Sequence, residues 1–341
     1  MSLNDYHAST GDWRLQLKRN EQKTRFVIFT FIAVYLFVGL LVDVFILQSS
    51  YPSASLNQCF WALITFKFIP YATLVMMGIA GFSLLITFSF YDKIMLLGTD
   101  SHEITPETAM SLQEKQLYNV VEEMKVAAGM QFMPKVFIIE ANYMNAFASG
   151  YSEKSAMIAI TRGLMEKLDR AELQAVMAHE LSHIRHHDIK LTLTVAILSN
   201  IMLLVIDFLF YNLIFKRDDR NDNRLLVVIM ILRYILPLIT VMLALFLSRT
   251  REYMADSGSV ELMRDNEPMA RALLKISEDH QLNAGRYAKE YGETANEQVR
   301  QESYLFDPSD IDPIKALSSS FSTHPSIEQR LESIGFKSKS K

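Results

Sequence analysis

The chain has 341 residues, half of them hydrophobic, with a mean hydropathy of +0.12 and a formal net charge of −4. So mild a charge, with no basic block interleaved with aromatics, argues against a nucleic-acid partner. Cys59 is the only cysteine, which rules out a disulfide framework or a cysteine-built metal site within one chain. It reads as a small apolar residue.

Residues 1–25 form a polar tail carrying Arg14, Lys18, Arg19, Lys23 and Arg25, which predicts a cytoplasmic N-terminus. An apolar run over 26–47 is long enough to cross a bilayer. It is too long for a signal-peptide core and lacks a small-residue cleavage site, so it reads as a retained anchor. Asp43, its one charge, falls near the far end, within reach of the interface. A short external loop, 48–69, leads to a second crossing over 70–91.

From 92 to 188 the composition turns mixed and globular. Thr105 and Pro106 predict a helix start, and Leu117, Val120, Val121, Met124 and Ala128 make a buried stripe at helical spacing. The β-prone runs 135–141 and 156–161 read as a hairpin or small sheet. Asp169 and Glu172 then open a helix with a capping-box pattern.

That helix carries Ala178-His179-Glu180-Leu181-Ser182-His183. Histidines at i and i+4 share a helix face and can bind one zinc, and the glutamate between them can serve as a base toward water. At about 100° per residue, Leu173, Met177, Leu181 and Ile184 fall on one side and His179, Glu180 and His183 on the next. A helix buried on one face with ligands beside it suits a zinc site better than a surface helix with two idle histidines.

Two further crossings, 189–215 and 225–247, flank a polar loop, 216–224, and return the chain to the face it left. Asp207 and Arg233 lie at similar depth in this antiparallel hairpin, which predicts that they pair or line a polar cavity. Four crossings place the basic loop outside, against the usual charge rule, which leaves partial insertion of the hairpin open. Residues 248–341 complete the globular part, with helices expected over 252–263 and 268–279, a mobile loop or lid over 281–303, and a frayed C-terminal Lys-Ser-Lys-Ser-Lys.

Catalytic zinc takes a third protein ligand, and the hairpin brings Glu252 back to the face of His183. Both lie within roughly 10 Å of that face at helical rise. Asp256, one turn on, could accept the second ring N–H of a ligating histidine. The competing reading of 248–256 is a solvated charged helix. His186 lies about 10 Å along the axis from His179, too far to share a metal. His187 follows His183 at i+4 without a glutamate between them, so both are taken as surface residues.

Together these residues resemble the HtpX family of membrane zinc endopeptidases, relatives of the CAAX prenyl proteases. The matching features are two N-terminal membrane helices, Asn145-Ala146-Phe147-Ala148, HELSH, the apolar hairpin, Ser-Arg-x-Arg-Glu-x-x-Ala-Asp at 248–256, and Thr323-His324-Pro325 followed by Arg330. Ser326 stands where the family usually has a second proline.

The resemblance implies a multi-pass α-helical membrane protein with a mainly α, small-β-sheet (α+β) protease domain of zincin or gluzincin type. It implies one zinc held by His179, His183 and Glu252, with Glu180 as base. Asn145 matches the residue that contacts substrate backbone, His324 one near the reacting centre, and Arg330 a late arginine. Substrates would be polypeptides, chiefly membrane proteins or their cytoplasmic segments, met during membrane-protein quality control. The setting would be a bacterial inner membrane with the site facing the cytoplasm. The run 156–161 could pair with an extended substrate. Rival readings are an inactive membrane scaffold and an intramembrane site-2-type protease, although charges on both sides of HELSH favour the membrane surface over its interior.

Overall fold

The computed structural model describes residues 3–8, 13–96, 99–150, 152–215, 223–293, 303–306 and 324–338. It divides into two compact units, one of Arg25–Thr87 with Thr192–Phe246, the other of Met1–Thr24, Phe88–Leu191 and Leu247–Lys341.

The first unit is helical. It takes in most of α1 (Trp13–Ser50), a short α2 (Leu56–Ile64), most of α3 (Tyr71–Met95), and stretches of α7 (Asp188–Phe215) and α8 (Asn223–Met263). Tyr35, Val38, Val42, Met76, Ala80, Met202, Ile206, Leu209, Ile229 and Leu236 form its core. Large apolar side chains such as Phe29, Phe82, Leu85 and Tyr234 are nevertheless exposed. An apolar core under an apolar surface suits lipid rather than water. Among the described residues, three helices are long and apolar enough to cross a membrane, Arg14–Ser50, Lys190–Asn212 and Leu226–Met263, and Tyr71–Ile86 is a shorter apolar helix.

Two charged sites in this unit show partners. Asp43 is buried and accepts from Ala72 N at 2.7 Å, Thr73 N at 2.9 Å and Thr73 Oγ1 at 2.7 Å. These are unpaired donors of the first turn of α3, a natural seat for a carboxylate. Arg233 Nε donates to Asp207 Oδ1 at 2.7 Å, the pairing the hairpin depth predicts. The loop 216–224 lies largely outside the described residues.

The second unit holds a four-stranded sheet of order β2-β3-β5-β4, from β2 (Ser101–Ile104), β3 (Lys135–Ile139), β4 (Ala146–Ser149) and β5 (Met157–Thr161). The runs 135–141 and 156–161 are parallel neighbours, not a hairpin, with Phe137 opposite Ala159. The segment between them supplies β4, which pairs antiparallel on the other side of β5. β5 is therefore flanked on both sides and cannot add a substrate strand. β4 and β2 are the outer strands of this sheet.

Around the sheet lie α4 (Leu112–Ala127), α5 (Arg162–Lys167), α6 (Arg170–Arg185), α9 (Glu267–Leu282), α10 (Ala284–Glu293) and α11 (Ile327–Ser333). α4 begins at Leu112 and not at Thr105, because Ser111 and Glu114 cap each other's backbone N–H, whereas Thr105 is spent in a turn with Thr108. The helix expected over 252–263 continues without a break from the apolar run into α8. The expected loop 281–303 is helical in α10, and its residues 294–302 lie outside the described set. Lys337 and Ser338 are paired rather than frayed, since β6 (Phe336–Ser338) lies antiparallel to β1 (Tyr6–Ala8).

Candidate metal centre

The motif helix α6 starts where its cap predicts. Asp169 accepts from Glu172 N at 2.8 Å, and Glu172 returns the bond to Asp169 N at 2.9 Å. Its buried face includes Leu173, Val176, Met177 and Leu181, and His179 and Glu180 are buried with them. α8 packs against it so closely that a Cβ on Gly258 would meet Ser182 Oγ at 2.2 Å, and Ser259 Oγ donates to Ala175 O at 2.7 Å. This contact sets Glu252, on α8, opposite the two histidines.

His179 Nε2 and His183 Nε2 are 3.1 Å apart, and Glu252 oxygens lie 3.7 Å from the first and 3.4 Å from the second. The other ring nitrogens face carboxylates. His179 Nδ1 is 3.0 Å from Asp256 Oδ1, and His183 Nδ1 is 2.7 Å from Asp188 Oδ2. A carboxylate at Nδ1 fixes the proton there and leaves the lone pair on Nε2. Two facing lone pairs need a positive centre between them, and the Glu252 carboxylate adds to that demand. One ligand atom from each of the three residues lies within 4.8 Å of the others. Burial, then neighbouring charge beginning with His179, pushes the His183 pKa well down, so the ring is neutral, as a ligand must be. The donor set fits a divalent cation.

Glu180 is buried beside this set, with the Ala148 backbone as the hydrogen-bonding neighbour of its carboxylate. Burial, then the negative charge of Glu252, raises its carboxyl well above the ordinary range. A buried acid so sparsely bonded is costly unless a ligand uses it.

Other expected residues fall around the same centre. His324 is buried with Nε2 4.0 Å from Glu252 Oε1. Asn145, just before β4, is buried with its amide already engaged: Nδ2 donates to Tyr291 Oη and to Phe306 O. Thr161 positions it, accepting from Asn145 N at 2.9 Å. Arg330 is turned to Asp256 and also lies 3.4 Å from Glu252 Oε2. His186 bonds back to Ser182 O, and His187, at φ 55°, forms the break between α6 and α7.

Asp188 and Arg251 were not expected at the centre. Asp188 opens α7, and Arg251 Nη2 pairs with its Oδ1 while Oδ2 holds His183. A carboxylate shortly after HELSH and an arginine beside Glu252 were visible in sequence, but only the left-handed turn at His187 brings the first back onto the histidine.

Residues 111–335 match the model of Peptidase family M48. The chain is 42% identical over 318 residues to a protein named Protease HtpX homolog from Helicobacter pylori J99, covering 93% of this chain and 96% of that one. A Protease HtpX homolog from Streptococcus uberis is 32% identical over 326 residues, covering 93% and 97%. A crystal structure of S. mikatae Ste24p aligns with a TM-score of 0.48 at 17% identity, over 97% of this chain and 68% of that one.

Proposed function

The chain belongs to peptidase family M48 and is a membrane metallopeptidase, and from that premise we propose that it is a zinc endopeptidase acting on membrane proteins or their exposed cytoplasmic segments. One observation carries this reading: two imidazole nitrogens and a carboxylate converge beside a buried glutamate. His179, His183 and Glu252 hold the metal, and the imidazole–carboxylate donor set favours zinc over calcium or magnesium. When bound, zinc polarises the scissile carbonyl and lowers the pKa of water.

Glu180 takes the proton of the attacking water and passes it to the leaving amine. Asp256 and Asp188 orient the two histidines, and Arg330 orients Asp256. Asn145 reads the substrate backbone, and His324, 4.0 Å from Glu252, is assigned to donate to the carbonyl oxygen as charge develops. The five basic residues of the N-terminal tail support a cytoplasmic-facing site in a bacterial inner membrane, where such a protease would serve membrane-protein quality control.

The test is metal dependence. The detergent-purified chain should carry about one zinc, lose cleavage of a model membrane protein on chelation, and regain it with zinc. Cleavage that persists after the metal is stripped would overturn the assignment.

A further inference from the structure

The backbone N–H and C=O groups of Leu305 and Phe306 are all bonded, as those of a peptide guest would be. Asn145 Nδ2 donates to Phe306 O at 2.9 Å, and Asn145 Oδ1 accepts from Phe306 N at 3.2 Å. Leu305 N donates to Ala146 O at 2.9 Å. Leu305 O accepts from Arg330 Nη1 at 2.6 Å. Both N–H groups and both carbonyls of two consecutive residues are thus bonded, one to the backbone of β4 and three to the side chains of Asn145 and Arg330, which reads main chain and not residue type.

The place is the one a substrate needs. Asn145 O is spent on Thr161 N of β5, so the carbonyl of the next residue, Ala146, faces outward from the sheet. Arg330 Nη1, which grips Leu305 O, also lies 3.4 Å from Glu252 Oε2. The backbone at 305 is therefore one guanidinium away from the ligand set.

Aromatic anchors flank it. The Tyr304 ring packs edge-on against Tyr143 and Phe147 at centroid distances of 6.4 and 5.8 Å, and the Phe306 ring lies 4.3 Å from His280. Tyr304, Leu305 and Phe306 are all buried.

We propose that Tyr304-Leu305-Phe306 is a resident occupant of the groove that takes peptide substrate, so that cleavage requires its displacement. The proposal rests on the peptidase reading. A tethered competitor acts at an effective concentration in the millimolar range, so it sets the affinity an incoming polypeptide must exceed. Short or folded segments fail that competition, and long extended ones succeed.

Leu305→Pro removes the N–H that bonds Ala146 O while leaving the metal ligands and Asn145 in place. In the full-length, zinc-loaded protein the KM for denatured casein should fall about 10-fold, as expected on removing a tethered competitor. An unchanged or raised KM means the segment is only a structural strap and overturns the proposal. A second measurement stands if that variant folds poorly. In Glu180→Gln protein, saturating denatured casein should speed amide exchange across 303–306 about 10-fold, because displacement opens those hydrogen bonds. Unaltered exchange there overturns the proposal whatever the variant does. Absence of zinc-dependent cleavage by the wild type would instead sink the peptidase reading, and the exchange result would still report whether peptide and segment compete.

Discussion

Arg330 and Asp256, 74 positions apart, form a two-pronged ion pair, Nε to Oδ2 at 2.9 Å and Nη2 to Oδ1 at 2.7 Å. Both are buried, and Asp256 lies 3.0 Å from His179 Nδ1, so α11 is tied to the motif helix through a single carboxylate. Arg330→Lys keeps the charge but cannot make the fork. We expect metal affinity to drop about 10- to 100-fold, measured by competition with a chelator. Arg330→Ala strands a buried carboxylate and should cost about 3–5 kcal/mol in urea denaturation. Wild-type metal affinity in Arg330→Lys would show that the fork does not bear on His179.

Asp188 plays the same part for His183. Asp188→Asn removes the charge that fixes the Nδ1 proton and also deprives Arg251 of its partner. Metal affinity should fall about 10-fold or more, with the fold retained by circular dichroism. Undiminished affinity would show that His183 orients itself.

The Asp207–Arg233 pair is testable by reversal. Asp207→Arg alone places two cations together and should lower the melting temperature in detergent, which the double exchange Asp207→Arg with Arg233→Asp should largely restore. If the single reversal is as harmless as the exchange, the two charges act separately.

His280 gives the globular unit a pH dependence. Burial lowers its pKa to about 4, and its ring bonds Ile276 O and Tyr291 Oη, with Asp279 and Lys167 the nearby charges. A histidine with a depressed folded-state pKa is protonated first in the unfolded chain. Stability is therefore lost as pH falls from about 6.5 to about 4, by about 3 kcal/mol in all. His280→Gln should flatten that decline in denaturation curves taken at several pH values. An unaltered slope would assign it to the carboxylates instead.

The parts of the centre legible in sequence are those whose signals are local or carried by chain return. The capping box of α6 and the i, i+4 spacing of His179 and His183 are read within one helix. Glu252 is found because an apolar hairpin must come back to its starting face. Asp188 escaped because a turn at φ 55° has no side-chain pattern to announce it. α10 escaped because its buried face is made of Tyr287 and Tyr291, whose hydroxyls make an apolar stripe look polar. Leu305 and Phe306 escaped for a stronger reason: contacts made by backbone atoms leave no trace in residue type. β5 looked like the receptive strand because propensity tells where strands form, not which one lies outermost.

The central claim is that Glu180 is the base of a site whose metal is held by other residues. Zinc content and the rate of cleavage of one model membrane protein, measured side by side for wild type and Glu180→Gln, test it most directly. About one zinc per chain in both, with cleavage lost only in the variant, is the predicted result. Undiminished cleavage by Glu180→Gln would contradict the account.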